Sequence, residues 1–324
     1  MSQQGTASTP IAPLVFILGD TDAFRASLAA QPGIELGVAE ERSFEDREHK
    51  IRPLVDVRHR DVYVVHRLAG DNQHSVNDKL IRLLFFLPTL RDAGAARVTA
   101  VIPYLPYARK DRRTKSRDPV TLRYLAQLFE AMGVDRVAVM DVHNVAAFEN
   151  AFRCETMHLE ARWMFAEKVA EMAGDLPIAV VSPDTGGVKR ADALRDALDE
   201  ITGGEATPVF MEKRRSEGVV SGQAVVGDVD GCLAVIIDDL IAGGTTMRRA
   251  LEACRDRGAR KVVAAATHGL FAAGAESLLT HPGLDRLLVT NSVDGPLLAG
   301  GPDTLQVIPV EPLLARAIRD LAWQ

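Results

Sequence analysis

Short runs of β-branched and aliphatic residues recur along most of this chain, with helical stretches between several of them. Eight runs are expected to be strands: Leu14–Leu18, Asp61–Val65, Val98–Ile102, Arg136–Met140, Ile178–Val181, Leu233–Ile237, Lys261–Ala265 and Arg286–Val289. Amphipathic stretches such as Val120–Met132 and Thr246–Arg257 have the spacing of helices. Strands that alternate with helices of this length form parallel sheets covered on both faces. The sequence therefore predicts an α/β fold.

The length of the chain and the distribution of these runs predict two domains. A chain of 324 residues is long for a single hydrophobic core. In both halves, a strand is followed by a Gly-rich or acidic loop. We expect two α/β domains of similar build, at 11–152 and 153–308. The remaining residues, 309–324, are expected to form a helix whose docking position the sequence leaves open.

Composition favours a small anionic ligand over a nucleic acid or a membrane. Hydrophobic residues make up 47% of the chain, charged residues 25%, and the net charge is −6, which is typical of a soluble globular protein. No apolar run approaches the roughly 20 residues of a membrane span. Positive charge is nevertheless concentrated at 109–117 and 213–215. The three cysteines form no C-x-x-C pair, which indicates neither a zinc site nor a disulfide framework and favours a reducing cytoplasm.

Segment 234–246 carries the strongest chemical signal. A buried strand is expected to end in Asp238 and Asp239, and a turn then leads into a helix. The expected turn comprises Ala242, Gly243, Gly244, Thr245 and Thr246. Free amides at a helix N-terminus form a cradle for phosphate, and the carboxylates can hold the hydroxyls of a ribose ring or a metal bound to them. The alternative is an ordinary turn capped by Asp and Thr.

Two further strand ends carry polar residues. Asp184 is followed by two glycines and a helix, which predicts a metal and phosphate contact or, alternatively, an ordinary strand-to-helix turn. Asp141 and His143 lie two apart at another strand end, so we expect them to share one face and to reach one ligand. A single histidine is more often structural, and that interpretation stays open.

Two basic segments complete the pattern. Residues 102–113 run from a strand through a Pro/Tyr bend into dense positive charge, which fits contact with a polyphosphate. Residues 210–218 end a strand with three consecutive cations and a glycine, as expected of a loop that closes over phosphates. The alternatives are a solvated loop and a surface hairpin. The motifs G-x-x-x-x-G-K, G-x-G and G-x-S-x-G are all absent, which excludes a P-loop kinase and the usual dinucleotide site.

Taken in order, these segments resemble the ribose-phosphate diphosphokinase family, also called phosphoribosyl diphosphate synthetases. The resemblance extends from about Phe16 to Val293 and includes the short signatures 267–269 and 290–292. It implies two tandem phosphoribosyltransferase-type domains, the first binding ATP and the second ribose 5-phosphate. The implied reaction transfers diphosphate from Mg·ATP to the sugar and supplies nucleotide biosynthesis. It also implies Mg²⁺ as cofactor and a cytoplasmic homo-oligomer built from dimers, with a hexamer as one form.

The resemblance also implies roles for individual residues. Lys213 and Arg215 fall on the catalytic cations that stabilise the transferring diphosphate. The implied ATP-binding residues are Phe44, Asp46, Glu48, Arg109, Lys110, Asp111 and His143, with the segment around Phe44 lent by a neighbouring subunit. The implied ribose-5-phosphate-binding residues are Asp184, Asp238, Asp239, Ala242, Gly243, Gly244, Thr245 and Thr246. His143 and Asp184 fall on the magnesium ligands.

The sequence departs from the family pattern near this site. Lys110 stands where Gln is usual, and Thr114 replaces a common Asp. Ala242 and Gly243 replace the usual Asp-Thr, and Thr245 stands where Gly is expected. Two other hypotheses therefore remain beside the diphosphokinase. One is a phosphoribosyltransferase that uses the same loop, and the other is a catalytically silent homologue that regulates partner enzymes.

Overall fold

The computed structural model describes residues 12–216 and 219–322, with the side chains of 212–224 outside that description. The strands are β1 (Leu14–Ile17), β2 (Glu35–Leu36), β3 (Ala39–Ser43), β4 (His49–Pro53), β5 (Asp61–Val65), β6 (Arg97–Ile102), β7 (Arg136–Met140), β8 (Glu155–Leu159), β9 (Ile178–Ser182), β10 (Thr207–Ser216), β11 (Val219–Val226), β12 (Leu233–Ile241), β13 (Lys261–Gly269), β14 (Arg286–Thr290) and β15 (Leu305–Ile308). The helices are α1 (Asp22–Ala29), α2 (Val76–Asp92), α3 (Thr121–Ala131), α4 (Val145–Ala151), α5 (Arg162–Ala173), α6 (Val188–Thr202), α7 (Thr245–Asp256), α8 (Glu276–Leu279), α9 (Pro296–Gly300) and α10 (Glu311–Ala322).

The chain divides into two compact units. One contains the described residues up to Leu159 together with those from Val310 onward, and the other spans Glu160–Pro309. The division falls after β8 because that strand pairs with β7 and completes the first sheet. The short β8 was not among the strands expected from the sequence.

The first unit contains a six-stranded parallel sheet in the order β2-β1-β5-β6-β7-β8. Its central strands are buried on both faces, and every residue of β7 is buried, which is why these strands appear in the sequence as nearly continuous apolar runs. Strands β3 and β4 form a separate antiparallel hairpin. The C-terminal helix α10 docks on this unit, where Arg319 donates to the carbonyl of Pro32 at 2.7 Å and Arg136 donates to that of Leu321 at 2.9 Å.

The second unit contains a seven-stranded sheet in the order β11-β10-β9-β12-β13-β14-β15. All neighbouring strands are parallel except β10 and β11, which form an antiparallel hairpin at one edge. A second hydrophobic core lies between this sheet and its helices, including Met247, Leu251 and Cys254 of α7. The two units confirm the predicted α/β fold with parallel-dominated sheets. None of the helices that the structure describes is long and apolar enough to cross a membrane.

Candidate active site

The strand order of the second sheet reverses between β9 and β12. From β9 the chain continues to β10 on one side, and from β12 it continues to β13 on the other. Open α/β sheets bind their ligands in the crevice outside the carboxyl ends of the two strands at such a switch point. Asp184 follows β9, whereas Asp238 and Asp239 lie near the end of β12. The fold therefore brings two of the predicted segments to one crevice.

The predicted phosphate loop lies between β12 and α7. Gly244 is the N-cap of α7 with a φ of 72°, a left-handed conformation that favours glycine. Because Gly244 has no side chain, it supplies no cap to the first-turn amides of this 12-residue helix. Thr245 and Thr246 open the helix and are exposed. The loop therefore presents first-turn N–H groups that receive no cap from Gly244, two hydroxyls and the positive end of a helix dipole, which together suit a phosphate dianion.

The segment after β13 packs against this loop and hydrogen-bonds to the end of β12. The carbonyl of Ile241 accepts hydrogen bonds from the amides of Leu270 at 3.0 Å and Phe271 at 3.1 Å. A Cβ added to Gly244 would lie 3.1 Å from Cβ of Leu278, whereas one added to Gly243 would meet only the carbonyl of Ala273 at 3.5 Å. Gly244 is therefore required by both its conformation and its packing, and Gly243 by neither.

Arg190 lies close to both Asp238 and Asp239. Nη1 of Arg190, in the first turn of α6, lies 3.4 Å from Oδ1 of Asp238 and 3.7 Å from Oδ1 of Asp239. Burial and the adjacent Asp239 raise the pKa of Asp238 to about 7, and Arg190 opposes that rise. Arg190 was not among the predicted site residues. Its position directly after the Asp184 loop was a usable signal only once β9 and β12 were known to be neighbours.

Asp184 organises its own loop. Its Oδ1 accepts hydrogen bonds from the amides of Gly186 at 2.8 Å and Gly187 at 3.1 Å, and the hydroxyl of Ser182 donates to its carbonyl at 2.7 Å. This leaves its second carboxylate oxygen available to a cation. Within the described ranges, no group of three or more His, Cys, Asp or Glu side chains is placed to hold a metal ion. One carboxylate oxygen still fits Mg²⁺, which typically takes one or two protein carboxylates and completes its shell with substrate phosphates and water.

The segment expected to be a cationic loop is a strand. β10 continues to Ser216 and pairs with β11, with a register shift between Arg214 and Arg215. The β-branched residues Val219 and Val220 on the opposite side favour this pairing. The side chains of Lys213 and Arg215 lie outside the described part of the chain, so their catalytic role remains a prediction.

In the first unit, Phe44, Asp46 and Glu48 lie at the exposed turn of the β3–β4 hairpin. Phe44 is 41% exposed, and the Arg42 guanidinium lies 5.1 Å from the centre of its ring. Oδ1 of Asp46 accepts the amide of Glu48 at 3.0 Å, so this carboxylate also stabilises the turn. The hairpin therefore presents an aromatic ring that a planar base can stack on.

The basic segment after β6 is tied to the loop after β7. Nδ2 of Asn144 donates to Oδ2 of Asp111 at 2.6 Å. His143, the residue before Asn144, is exposed, as are Arg109 and Lys110. Asp141 and His143 lie beyond the end of β7 and Asp141 has a φ of 35°. The prediction that Asp141 and His143 share one face of a strand is therefore wrong. The fold brings Asp111 to the His143 loop instead, and Asn144 is the linking residue that the sequence did not reveal.

The switch point of the first sheet, between β1 and β5, is filled by an ion pair. Nε of Arg67 donates to Oδ2 of Asp20 at 2.8 Å, and the two side chains are only 6% and 2% exposed. The guanidinium also lies 4.5 Å from the ring centre of Phe24. The predicted ligand residues of this unit accordingly follow β6 and β7 or lie on the hairpin, away from β1 and β5.

The two late signatures meet at the ends of β13 and β14. Nδ1 of His268 lies 2.8 Å from Oγ of Ser292, and that hydroxyl donates to the carbonyl of Thr267 at 3.0 Å. Because the hydroxyl proton is used there, Nδ1 of His268 must be the donor in its own contact. The hydroxyl of Thr290 donates to the same carbonyl at 2.7 Å. This buried network fixes the strand ends beside the phosphate loop.

Comparison with known proteins agrees with this geometry. A model of the N-terminal domain of ribose phosphate pyrophosphokinase matches residues 14–133, and a model of the phosphoribosyl synthetase-associated domain matches residues 189–323. The ribose-phosphate pyrophosphokinase of Hyphomonas neptunium is 35% identical over 88% of this chain and 88% of its own length. Ribose-phosphate pyrophosphokinase 2 of Saccharomyces cerevisiae is 32% identical over 89% of this chain and 87% of its own.

A solved structure extends the similarity to three dimensions. The crystal structure of phosphoribosylpyrophosphate synthetase from Mycobacterium smegmatis superposes with a TM-score of 0.84 and 29% identity, covering 95% of this chain and 98% of that one. Both relatives are more than 30% identical to this chain and align with it over most of their length, which establishes the family. The chain belongs to the ribose-phosphate pyrophosphokinase family.

Proposed function

We propose that this protein transfers the diphosphate group of Mg·ATP to the anomeric hydroxyl of ribose 5-phosphate, giving phosphoribosyl diphosphate and AMP. The observation that carries the proposal is the arrangement at the end of β12. There Asp238 and Asp239 precede an uncapped helix N-terminus at the switch point of the sheet. Two carboxylates accept hydroxyl donors and the helix N-terminus accepts a phosphate, so together they match a sugar phosphate.

In the transfer, the anomeric oxygen attacks the β-phosphorus of ATP in line. An O–P bond to the sugar forms, the bond from the bridging oxygen to the β-phosphorus breaks, and AMP leaves with that oxygen. The proton of the hydroxyl is released to water. Such a step needs positioning and charge neutralisation more than covalent catalysis. The loop amides and the hydroxyls of Thr245 and Thr246 hold the 5-phosphate, while Asp238 and Asp239 hold ring hydroxyls.

On the nucleotide side, we assign the adenine to Phe44, Asp46 and Glu48 of the hairpin. The phosphates are assigned to Arg109 and Lys110, with Asp111 and His143 beside them. Lys213 and Arg215 are assigned the charge that develops on the transferring group. Replacing either of these two cations should lower kcat far more than it raises the KM for ribose 5-phosphate.

Magnesium is the expected cofactor, and Asp184 and His143 are its assigned protein ligands. When bound, Mg²⁺ neutralises phosphate charge during the transfer. The Asp184 carboxylate fits this role because its Oδ1 is held by two loop amides, which orients the second oxygen. Substituting Asp184 with Asn should raise the Mg²⁺ concentration needed for half-maximal activity, and an unchanged Mg²⁺ dependence would contradict the assignment.

The decisive experiment incubates the purified protein with ribose 5-phosphate, Mg²⁺ and ATP, and separates the products by chromatography. Equal amounts of AMP and phosphoribosyl diphosphate are expected. AMP without the activated sugar would point to another acceptor. Bound ATP without turnover would favour the silent regulatory homologue. Consumption of phosphoribosyl diphosphate with a nucleobase would favour the phosphoribosyltransferase.

We further propose a cytoplasmic homo-oligomer built from dimers, with a hexamer as one form. The exposed Phe44 hairpin supports this proposal because an isolated subunit leaves that ring in solvent. Light scattering coupled to gel filtration measures the mass directly. A monomer that is fully active would overturn the oligomeric part of the proposal.

A further inference from the structure

Arg190 joins the two loops of the candidate site. It is the third residue of α6, directly after the Asp184 loop, yet its guanidinium lies at the end of the neighbouring strand. Nη1 is within 4 Å of a carboxylate oxygen of both Asp238 and Asp239. The three side chains are 21%, 23% and 5% exposed, so the cluster is largely withdrawn from water.

Two adjacent carboxylates in this setting repel one another. Their charges lie on consecutive residues of one strand, and burial strengthens the repulsion because less water screens it. Burial first, and the neighbouring Asp239 second, raise the pKa of Asp238 and so favour its protonated form. A protonated carboxyl group is a poorer acceptor for a sugar hydroxyl than an ionised one. A cation that contacts both groups counters this tendency.

The geometry suits Arg190 to this task. Both distances exceed the 2.7–2.9 Å that is usual for a charge-assisted hydrogen bond, by about half an ångström or more. The guanidinium therefore attracts both carboxylates without committing either to a short, fully aligned bond. The Asp238 side chain is 23% exposed, which leaves it accessible to a ligand.

We propose that Arg190 is a positioning residue for ribose 5-phosphate: it favours the ionised form of Asp238 and Asp239 and aligns the two carboxylates to accept the ring hydroxyls. This inference rests on the proposed function, because it assigns those hydroxyls to the two carboxylates. Arg190 acts through the aspartates and contributes little to ATP binding. Losing the charge of Arg190 should weaken the binding of ribose 5-phosphate more than that of ATP. It should also shift the pH at which the two carboxylates ionise and can accept the ring hydroxyls.

The test compares R190Q and R190K with R195Q. Arg195 lies on the same helix and pairs only with Asp192 and Asp196 among the described residues, so R195Q matches the loss of charge outside the carboxylate cluster. For R190Q we expect the KM for ribose 5-phosphate to rise about tenfold or more while the KM for ATP changes less than about threefold. The acidic limb of kcat/KM for ribose 5-phosphate should move to higher pH. R190K should recover part of both effects, and R195Q should match the wild type.

Two results would overturn the inference. In the first, R190Q has the wild-type KM for ribose 5-phosphate and the wild-type acidic limb of kcat/KM. In the second, the KM values for ribose 5-phosphate and ATP rise equally, the melting temperature falls and the acidic limb does not move, which indicates a purely structural role. If R190Q does not fold, R190M carries the test, because methionine keeps an unbranched side chain and removes the charge. A KM for ribose 5-phosphate and an acidic limb in R190M that both equal those of the wild type would then refute the proposal.

Failure of the proposed function is separable from failure of this inference. A wild-type protein that makes no phosphoribosyl diphosphate would refute the reaction. Calorimetric titration with ribose 5-phosphate alone would still test Arg190 in that case. Weaker binding to R190Q than to R195Q supports the positioning role, and equal binding refutes it.

Discussion

Asn144 and Asp111 join the two loops at the carboxyl edge of the first sheet. Nδ2 of Asn144 donates to Oδ2 of Asp111 at 2.6 Å, and its Oδ1 accepts the amide of Ala147 at 3.1 Å. One side chain therefore caps α4 and anchors the basic segment. Asn144 therefore holds the residues of the proposed nucleotide site in place, although it has no charge with which to bind phosphate.

Replacing Asn144 with Ala should loosen the basic segment. We expect the KM for ATP to rise about threefold to tenfold because Arg109 and Lys110 are no longer held in one place. Loss of the cap should also lower the free energy of unfolding by about 1 kcal/mol. Steady-state kinetics with each substrate varied, together with urea unfolding, measure the two effects.

Asn150 provides the control for this substitution. It is an exposed residue of α4 whose Nδ2 donates to the carbonyl of Ala146, one turn earlier. The variant Asn150→Ala should keep the KM for ATP of the wild type. If Asn144→Ala and Asn150→Ala behave alike, the Asp111 contact does not position the nucleotide.

Gly244 and Gly243 should respond differently to the same substitution. Gly244→Ala places a Cβ at a φ of 72° and 3.1 Å from Leu278, so the turn before α7 must distort. We expect a loss of stability of about 1–2 kcal/mol and a clear rise in the KM for ribose 5-phosphate. Thermal unfolding and kinetics check both expectations.

Gly243→Ala is the matched control because its Cβ would meet only the carbonyl of Ala273, at an ordinary 3.5 Å. Stability close to that of the wild type is expected. A greater loss in Gly243→Ala than in Gly244→Ala would contradict the conformational account of this loop.

The sequence predicted those features that depend on neighbouring residues. The apolar run before Asp238 identified the buried strand, and the glycines and threonines after it identified the turn into α7. The two-domain α/β organisation followed from the alternation of such runs. These signals are local, since each depends on residues a few positions apart.

The features it missed depend on sheet order. Arg190 reaches Asp238 only because β12 lies beside β9, and Asn144 reaches Asp111 only because β7 lies beside β6. The ion pair of Arg67 with Asp20 likewise depends on β5 lying next to β1. For the cations at 213–215 the sequence left a phosphate-closing loop and a surface hairpin open, and pairing with β11 forms the hairpin. Tertiary pairing overrides local composition at such positions.

His66, at the end of β5, should make the first unit sensitive to acid. It is 1% exposed, and burial with nearby Lys79 lowers its pKa to about 3. An unfolded histidine takes up its proton near pH 6.5. Its stabilising contribution is therefore present above pH 6.5 and is lost as the pH falls towards 3, by at most about 1.4 kcal/mol per pH unit.

Substituting His66 with Leu should flatten the pH dependence of the urea midpoint between pH 6.5 and 4. His74→Gln, a half-buried histidine of the same unit, serves as control and should retain the dependence of the wild type. An acid sensitivity that is equal in His66→Leu and the wild type would show that other groups govern it.

Asp238 should destabilise the ligand-free protein as the pH rises. Its pKa is raised from 3.8 to about 7, chiefly by burial and secondly by Asp239. Between these values the folded protein holds a proton that the unfolded chain has lost. The stabilising contribution is therefore complete below pH 4 and disappears as the pH rises through 7.

Asp238→Asn carries the neutral form at every pH and tests this sign directly. At pH 8 the variant should be more stable than the wild type by about 2 kcal/mol, a figure reduced for the partial exposure of the side chain. The gain should shrink towards pH 5, while activity with ribose 5-phosphate falls sharply at all pH values. Urea unfolding at pH 5, 7 and 8 measures the trend, with the exposed Asp175→Asn as control. A stability difference that stays constant with pH would mean that Asp238 is ionised throughout, and the site would then be preorganised before the sugar arrives.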